Sequence, residues 1–456
     1  MAWLSPAFAK RAKPVGAYIS SAKIAIVDGR PAEGIVMLDS LLEAYGPHAE
    51  AYYWRSLIEI DLMEASADLE EKKTHVELLV SYSDSLHSTC GNKDIKKKYR
   101  DDCDEFMTEI DSLESYYWKV FYNDGVTQIQ EVRETVPQLQ AATDSAEIDY
   151  FQNRLDAKID SCIDNMQLAI LIDPADARTY TGISSAYETM GEYETATEWL
   201  NRALPHATDS TVLLQKIAYN YISMNQYCDA ITPFDGYVNQ ILRDEAVLED
   251  PNNKSAILGT MYNLSVCLNN CGQFDSAYTV LTRMYEIDST NIDVLIGRAR
   301  YHNQMARYAN DSANYYSGIN EPEKKAEWTE KKNEQFETAF GYLQDAFNQA
   351  PDSAAIAGEF ALTAALLQKF EQAAQGFEVV TAKDPNDADS WTSLGDCYIA
   401  LKEWQKAADA YEHTIELQPD NESVMDQLVL LYEELGNDAR KAEIEAMMSK
   451  EGSAGE

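Results

Sequence analysis

ADSWTSLGDCYIALKEWQKAADAYEHTIELQP, residues Ala388 to Pro419, is the stretch from which the rest of the chain can be read. Trp391, Leu394 and Tyr398 recur at helical spacing, with the small Gly395 among them. Ala407 and Tyr411 follow, and Pro419 closes the stretch. Small residues at Gly395 and Ala407 let two antiparallel helices approach closely, while Trp391, Leu394, Tyr398 and Tyr411 fill the seam between them. A helical hairpin of this size cannot bury its apolar face alone, so the pattern implies stacked copies.

The spacing W-x2-L-G-x2-Y, followed by Ala407, Tyr411 and Pro419, resembles the tetratricopeptide repeat, a helix–turn–helix unit of about 34 residues. Tyr411 stands where that family usually has Phe, and Thr414 where a small Ala is common. The resemblance implies an all-α right-handed solenoid whose first helices (helix A of each repeat) line a concave groove. It also implies a chain that binds proteins or peptides rather than one that catalyses a reaction.

Two small-residue rulers extend the pattern. The residue at repeat position 8 reads Ala22, Ser56, Ser184, Ala218, Ser265, Ala299, Ala361, Gly395 and Val429, and five of these eight intervals are 34. Position 20 reads Gly34, Cys162, Ala196, Ala230, Ala277, Ala339, Ala373 and Ala407, with the steps 162–196–230 and 339–373–407 again 34. About nine repeats are expected, the last degenerate. The failing intervals mark extra chain: Ser56 to Ser184 is 34 plus 94, Ala218 to Ser265 is 34 plus 13, and Ala299 to Ala361 is 34 plus 28.

The 94-residue surplus is expected as a helical insertion between the two helices of the second repeat, whose first helix would run on through Leu79. The expected division is a disordered or remnant signal segment (1–14), the first repeat with the first helix of the second (15–71), and the insertion (72–150). Then follow the second repeat's return helix with the third and fourth repeats (151–257). The fifth and a lengthened sixth (258–353), the seventh to ninth (354–450) and a mobile tail (451–456) complete it. In the sixth repeat two long helices should meet near Ser317-Gly318, the second opening at Pro322. The insertion is expected to be removable, because a short turn joins the two helices in other repeats.

Lys plus Arg total 37 against 77 Asp plus Glu, a net charge of -40. Most of this surface would repel a phosphate backbone or an anionic membrane, so a neutral or basic protein or peptide is the expected partner and nucleic acid is not. No apolar run reaches transmembrane length. Residues 1–9, MAWLSPAFA, leave two readings open: a frayed cytoplasmic start, or the tail of a longer export signal ending in Ala7-Phe8-Ala9. The seven cysteines contain no C-x-x-C pair. They are read as small buried hydrophobes, against the sharper alternative of a Cys90–Cys103 disulfide, which needs an oxidising compartment.

No P-loop, G-x-G-x-x-G, H-E-x-x-H or EF-hand loop is present, so no catalytic residue, cofactor or metal is expected. Lys96-Lys97-Lys98-Tyr99-Arg100 is the one dense basic cluster, followed at once by acids, and reads as a solvated face. Most of the 28 tyrosines fall on packing positions. In the repeat family, positions 2, 5, 9 and 12 of helix A tend to face the groove. Carried onto this chain they nominate Gln215 and Tyr219 in the fourth repeat, Tyr262 and Asn269 in the fifth, and Arg300 and Asn303 in the sixth. Position 5 is nowhere basic, which argues against capture of a partner's C-terminal carboxylate. The expected function is a non-enzymatic scaffold or adaptor. The alternatives are a component or chaperone of a cell-envelope assembly or secretion machine and, behind it, an enzyme with its site in the insertion.

Overall fold

The structure, a computed structural model, describes residues 13–100, 102–243 and 245–451. Residues 1–12 and 452–456, which hold nearly all of the expected signal remnant and of the mobile tail, lie outside the described residues. Among the described residues there are twenty α-helices and no strand. Apart from α10, each helix packs most closely on a sequence neighbour, so the chain is for the most part a series of helical hairpins. It divides into two units, residues 1–240 and 241–456.

The first unit begins with α1 (Val15–Val27) and α2 (Pro31–Tyr45), then α3 (Ala49–Ala65) and α4 (Leu69–Gly91). The long α5 (Cys103–Ala141) and α6 (Ser145–Ile172) follow, then α7 (Ala177–Met190), α8 (Tyr193–Ala203), α9 (Thr211–Ser223) and α10 (Tyr227–Ile241). The second repeat departs from expectation. α3 stops at Ala65, because the Asp68 carboxylate accepts the Glu71 backbone N–H at 2.9 Å and caps a new helix there. The return helix of α3 is therefore α4, not α6, and α6 pairs instead with α5. Buried polar groups fix the α3–α4 pair. Arg55 and Glu59, 5% and 1% exposed, are joined at 3.2 Å, and each also reaches α4. Arg55 donates to the Tyr82 hydroxyl at 2.5 Å, and His75 lies 2.7 Å from Glu59.

The core of the first unit is a string of local clusters rather than one centre. Ile19, Leu38 and Ile58 belong to one, Met63, Leu79 and Phe121 to the next, and Ile159, Met166 and Ile183 to a third. Cys90 and Cys103 form a disulfide across 13 residues of sequence, so they are not the plain buried hydrophobes first expected. The loop they close holds the basic run. Arg100 turns inward to donate to the Cys90 carbonyl at the end of α4 and to the Ile95 carbonyl in the loop, while Tyr99 packs on His48 with ring centres 5.0 Å apart.

The second unit comprises α11 (Pro251–Asn270), α12 (Phe274–Ile287), α13 (Ile292–Gly318), α14 (Pro322–Gln349), α15 (Ala354–Leu366) and α16 (Phe370–Lys383). After them come α17 (Ala388–Ala400), α18 (Trp404–Leu417), α19 (Glu422–Glu434) and α20 (Asp438–Glu451). α13 and α14, at 27 and 28 residues, carry the surplus of the sixth repeat as two lengthened helices. One continuous core runs from Leu295 to Ile444.

Both rulers acquire a physical meaning in the structure. The position-20 residues from Cys162 to Ala407 are all fully buried, where the second helix of a hairpin presses on the first. A third ruler is written in the backbone. Position 15 of seven repeats has positive φ: Gly29, Gly191, Asn225, Gly272, Gln368, Lys402 and Gly436. A left-handed residue there ends helix A and turns the chain into helix B. At Gly191 this frees its N–H for Glu188 O and that of Glu192 for Tyr187 O.

Candidate protein-interaction face

Helix A of one repeat meets helix A of the next through a fixed side-chain register. In the second unit Arg300 of α13, at position 9, forms a two-armed ion pair with Glu359 of α15, at position 6, with Nε and Nη2 3.0 and 2.5 Å from Oε1. Asn303 at position 12 donates to Thr363 at position 10, at 3.1 Å. The first unit repeats both relations between α7 and α9. Lys216 at position 6 donates to Ser185 at position 9 (3.3 Å), and Asn220 at position 10 donates to Glu188 at position 12 (3.3 Å). Lys216 also pairs with Glu188 at 2.5 Å. Side chains at positions 6, 9, 10 and 12 thus stitch neighbouring A helices together, and what remains uncovered faces solvent.

Each nominated residue can now be placed. Tyr262 is half-buried on α11, and its hydroxyl adds to the Glu359 ion pair in raising the Arg300 guanidinium above its ordinary value. Arg300 is therefore a strut between helices as well as an exposed cation. Asn303 is partly buried, with its Oδ1 lacking a partner among the described residues, and Asn269 is exposed at the end of α11. In the first unit Gln215 is half-buried, and Tyr219 is 40% exposed with its ring edge-on to Phe234 at 5.3 Å. Tyr262, Arg300 and Asn303 are brought together. Gln215 and Tyr219 belong to the other unit.

Three exposed apolar side chains share position 9: Tyr219, Leu362 and Leu430, the last two 56% and 58% exposed. Sequence reasoning named only the first, although the ruler residues Ala361 and Val429 stand directly before the other two. Carboxylates follow on the same positions of the eighth and ninth repeats: Asp389 and Asp396 at positions 2 and 9, Asp426 at position 5. All three are exposed, and Asp396 accepts the Tyr411 hydroxyl at 2.5 Å.

The packing residues of the opening stretch cluster on one hairpin. Leu394, Tyr398, Ala407 and Tyr411 are buried, Gly395 lies against the Tyr411 ring, and Trp391 donates to the Pro385 carbonyl at 3.0 Å. Pro419 is exposed just past the end of α18 and acts as a helix stop. The free cysteines are Cys162, Cys267 and Cys397 among the described residues. All are buried, and burial pushes the first up to about 12 and the other two to about 11, which suppresses thiolate chemistry. Among the described residues no three His, Cys, Asp or Glu side chains converge as metal ligands, and no helix is long and apolar enough to cross a membrane.

The tetratricopeptide repeat family matches this sequence twice, at residues 177–204, which span α7 and α8, and at residues 388–421, which span α17 and α18. The chain carries tetratricopeptide repeats. Similar solved structures include a tetratricopeptide repeat protein from Parabacteroides merdae, 13% identical, covering 68% of this chain and 99% of that one with a TM-score of 0.35. A MamA mutant is 16% identical over 43% of this chain and 98% of its own (TM-score 0.31). A Thermus thermophilus protein is 14% identical over 48% and 98% (TM-score 0.30). No curated protein matches the chain. Repeats of this family bind proteins or peptides, and the chain is a protein-interaction scaffold.

Proposed function

We propose that the second unit holds a neutral or basic segment of a partner protein against its A helices, from Tyr262 through Leu362 to Leu430. The observation that carries this reading is the uncovered leucine at position 9 of two repeats, on a row whose polar neighbours are otherwise engaged with one another. Apolar side chains of the partner would cover Leu362 and Leu430, and cationic ones would meet Asp389, Asp396 and Asp426. The charge of -40 favours that sign and disfavours nucleic acid. The test is the triple change Tyr262→Ala, Leu362→Ala and Leu430→Ala. Arg300 is kept, because its removal would strand Glu359. Partner capture from the cognate cell extract should fall at least about tenfold with the melting temperature little changed, as expected for hot-spot residues of which two are exposed and one, Tyr262, is half-buried. Equal capture by the variant would clear this face.

A second reading, a component of a cell-envelope assembly, draws on one observation, the Cys90–Cys103 disulfide. Such bonds persist in oxidising compartments and are rare in a reducing cytosol. Alkylation of the denatured native protein should leave Cys90 and Cys103 unmodified. Full alkylation of both would remove the support for this reading.

A further inference from the structure

The first unit contains a groove that the repeats alone would not make. One wall is α5, where Tyr122, Val126, Ile129 and Arg133 recur every three or four residues and share a stripe. The opposite wall is α7 with the start of α9, through Arg178, Thr181 and Ser185 (positions 2, 5 and 9) and Val212 (position 2 of the next repeat). Met166 of α6 lies at the floor. Two glycines explain why: a Cβ on Gly125 of α5 or Gly182 of α7 would come within 2.8 or 2.6 Å of the Met166 methyl. Both helices therefore close over one thioether, which is fully buried and fills the base of the groove beneath the exposed valines. The space between the walls is about 940 Å³.

Its chemistry is mostly apolar with an ordered rim. Val126 and Val212 remain 41% and 59% exposed, uncovered by their own chain. Arg178 is neutralised by Asp176 at 2.6 Å and lies over the Trp118 and Tyr122 rings, so that pair offers a partner no free charge. Glu134 and Asp209 have no salt-bridge partner among the described residues, and Thr211 holds the Asp209 carboxyl below its usual range, keeping it ionised. Among the described residues Arg133 is the single unpaired cation of the lining.

We propose that this groove receives an amphipathic helix of a partner protein, its apolar face over Met166 between Val126 and Val212 and its polar face net basic toward Glu134 and Asp209. The walls are helices whose backbone hydrogen bonds are internal, so an extended strand would find no ladder to join. A helix needs only an apolar trough for residues at i, i+3 or i+4, and i+7. The excess of rim carboxylates, within a chain of net charge -40, sets the sign of the partner's polar face. None of these residues belongs to the face proposed in the second unit, so either proposal stands or falls without the other.

The test uses the full chain and three labelled peptides of about 18 residues: a Leu/Lys helix with one apolar stripe, a permuted Leu/Lys peptide without a stripe, and a Leu/Glu helix with the stripe. Fluorescence anisotropy in about 0.15 M salt keeps long-range attraction screened. The striped Leu/Lys helix should bind at least about tenfold tighter than either other peptide. The double change Val126→Ser and Val212→Ser should remove that preference. Val27→Ser with Val36→Ser, at sites on α1 and α2 that are at least as exposed, should not. Equal binding of the permuted peptide would reduce the effect to net charge and overturn the proposal. Unchanged binding by the Val126/Val212 variant would place the contact elsewhere and overturn it equally. Saturation by the apolar dye anilinonaphthalene sulfonate without any peptide preference would make the groove a small-molecule pocket, and the proposal would fall then too.

Discussion

Gly395 shows how much one atom matters at a helix crossing. Its missing Cβ is the room that the Tyr411 ring occupies, and Tyr411 is 1% exposed with its hydroxyl tied to Asp396. Gly395→Leu should cost about 1–3 kcal/mol or more in a urea melt, because the ring has nowhere to go. Gly341, inside α14, has nothing within 4 Å of where a Cβ would stand, so Gly341→Ala should instead gain roughly 0.5–1 kcal/mol. Gln368 and Lys402 hold φ near +60, which costs a non-glycine residue roughly 1–2 kcal/mol. Glycine at either should therefore raise stability, by up to about 1 kcal/mol after its own entropy loss of about 0.5–1 kcal/mol. Gly395 and Ala407 were legible in the sequence as small residues among large ones. The strained turns at Gln368 and Lys402 were not, since neither residue type signals a left-handed backbone.

His302 belongs to the same scale. Burial lowers its pKa, Gln335 opposes through a 2.7 Å hydrogen bond, and the nearby Arg298 cation lowers it further. The other groups facing it are Tyr278, Tyr301 and Tyr342. The folded protein thus binds this proton less readily than the unfolded chain, whose His has a pKa of about 6.5. The stability it contributes is present above that value and is lost as the pH falls through it. Relative to His302→Gln, the wild type should lose ground in chemical melts between about pH 7 and 5. An unchanging difference would mean that His302 does not titrate in that range.

At the scale of elements, the second repeat shows where spacing misleads. Cys162 fits the position-20 ruler because it is a fully buried small residue at a helix crossing. The helix across from it is α5, however, and a ruler of small residues records that a crossing exists without naming the opposite helix. Excision of residues 72–150 would take most of α4 with the insertion and leave Arg55 and Glu59 without Tyr82 and His75. A shortened chain should lose its cooperative melt, contrary to the sequence-based expectation. A melt matching the full chain would show that α6 can replace α4. The junction of α4 and α5 also carries a pH response. Glu114 is pushed up to about 7, mainly by burial, with Asp111 and Asp84 adding and Ser83 and His87 opposing. A raised carboxyl favours the folded state at low pH, and that advantage fades between its unfolded value near 4.5 and about 7. Glu114→Gln should gain stability over the wild type as pH rises through that window, and a flat difference would exclude the assignment.

For the whole molecule, the architecture follows from a repeat length and a few small residues, because each hairpin contacts mainly its neighbours. Damage at Gly395 should accordingly loosen hydrogen exchange in α15 to α20 and spare α1 to α4. The interaction surfaces were only partly legible. Position 9 of any repeat could be read off a ruler, as Leu362 and Leu430 show. The trough over Met166 depends on which wall α5 supplies, a contact more than 40 residues away in sequence from Met166 at Gly125. Electrostatics act at this scale too: association with a basic partner should slow as salt rises, since the net charge of -40 steers the encounter.

The Cys90–Cys103 bond also makes the chain mechanically shorter than its residue count. Pulled from its ends, an oxidised molecule can never release the segment between the two sulfurs. With 13 residues of separation and about 3.3–3.6 Å per extended residue, roughly 40 Å of contour stays hidden until a reductant is added. In a single-molecule stretching experiment without reductant, the Cys90→Ser/Cys103→Ser variant should therefore extend further than the wild type by about that length, and that difference would count this crosslink directly.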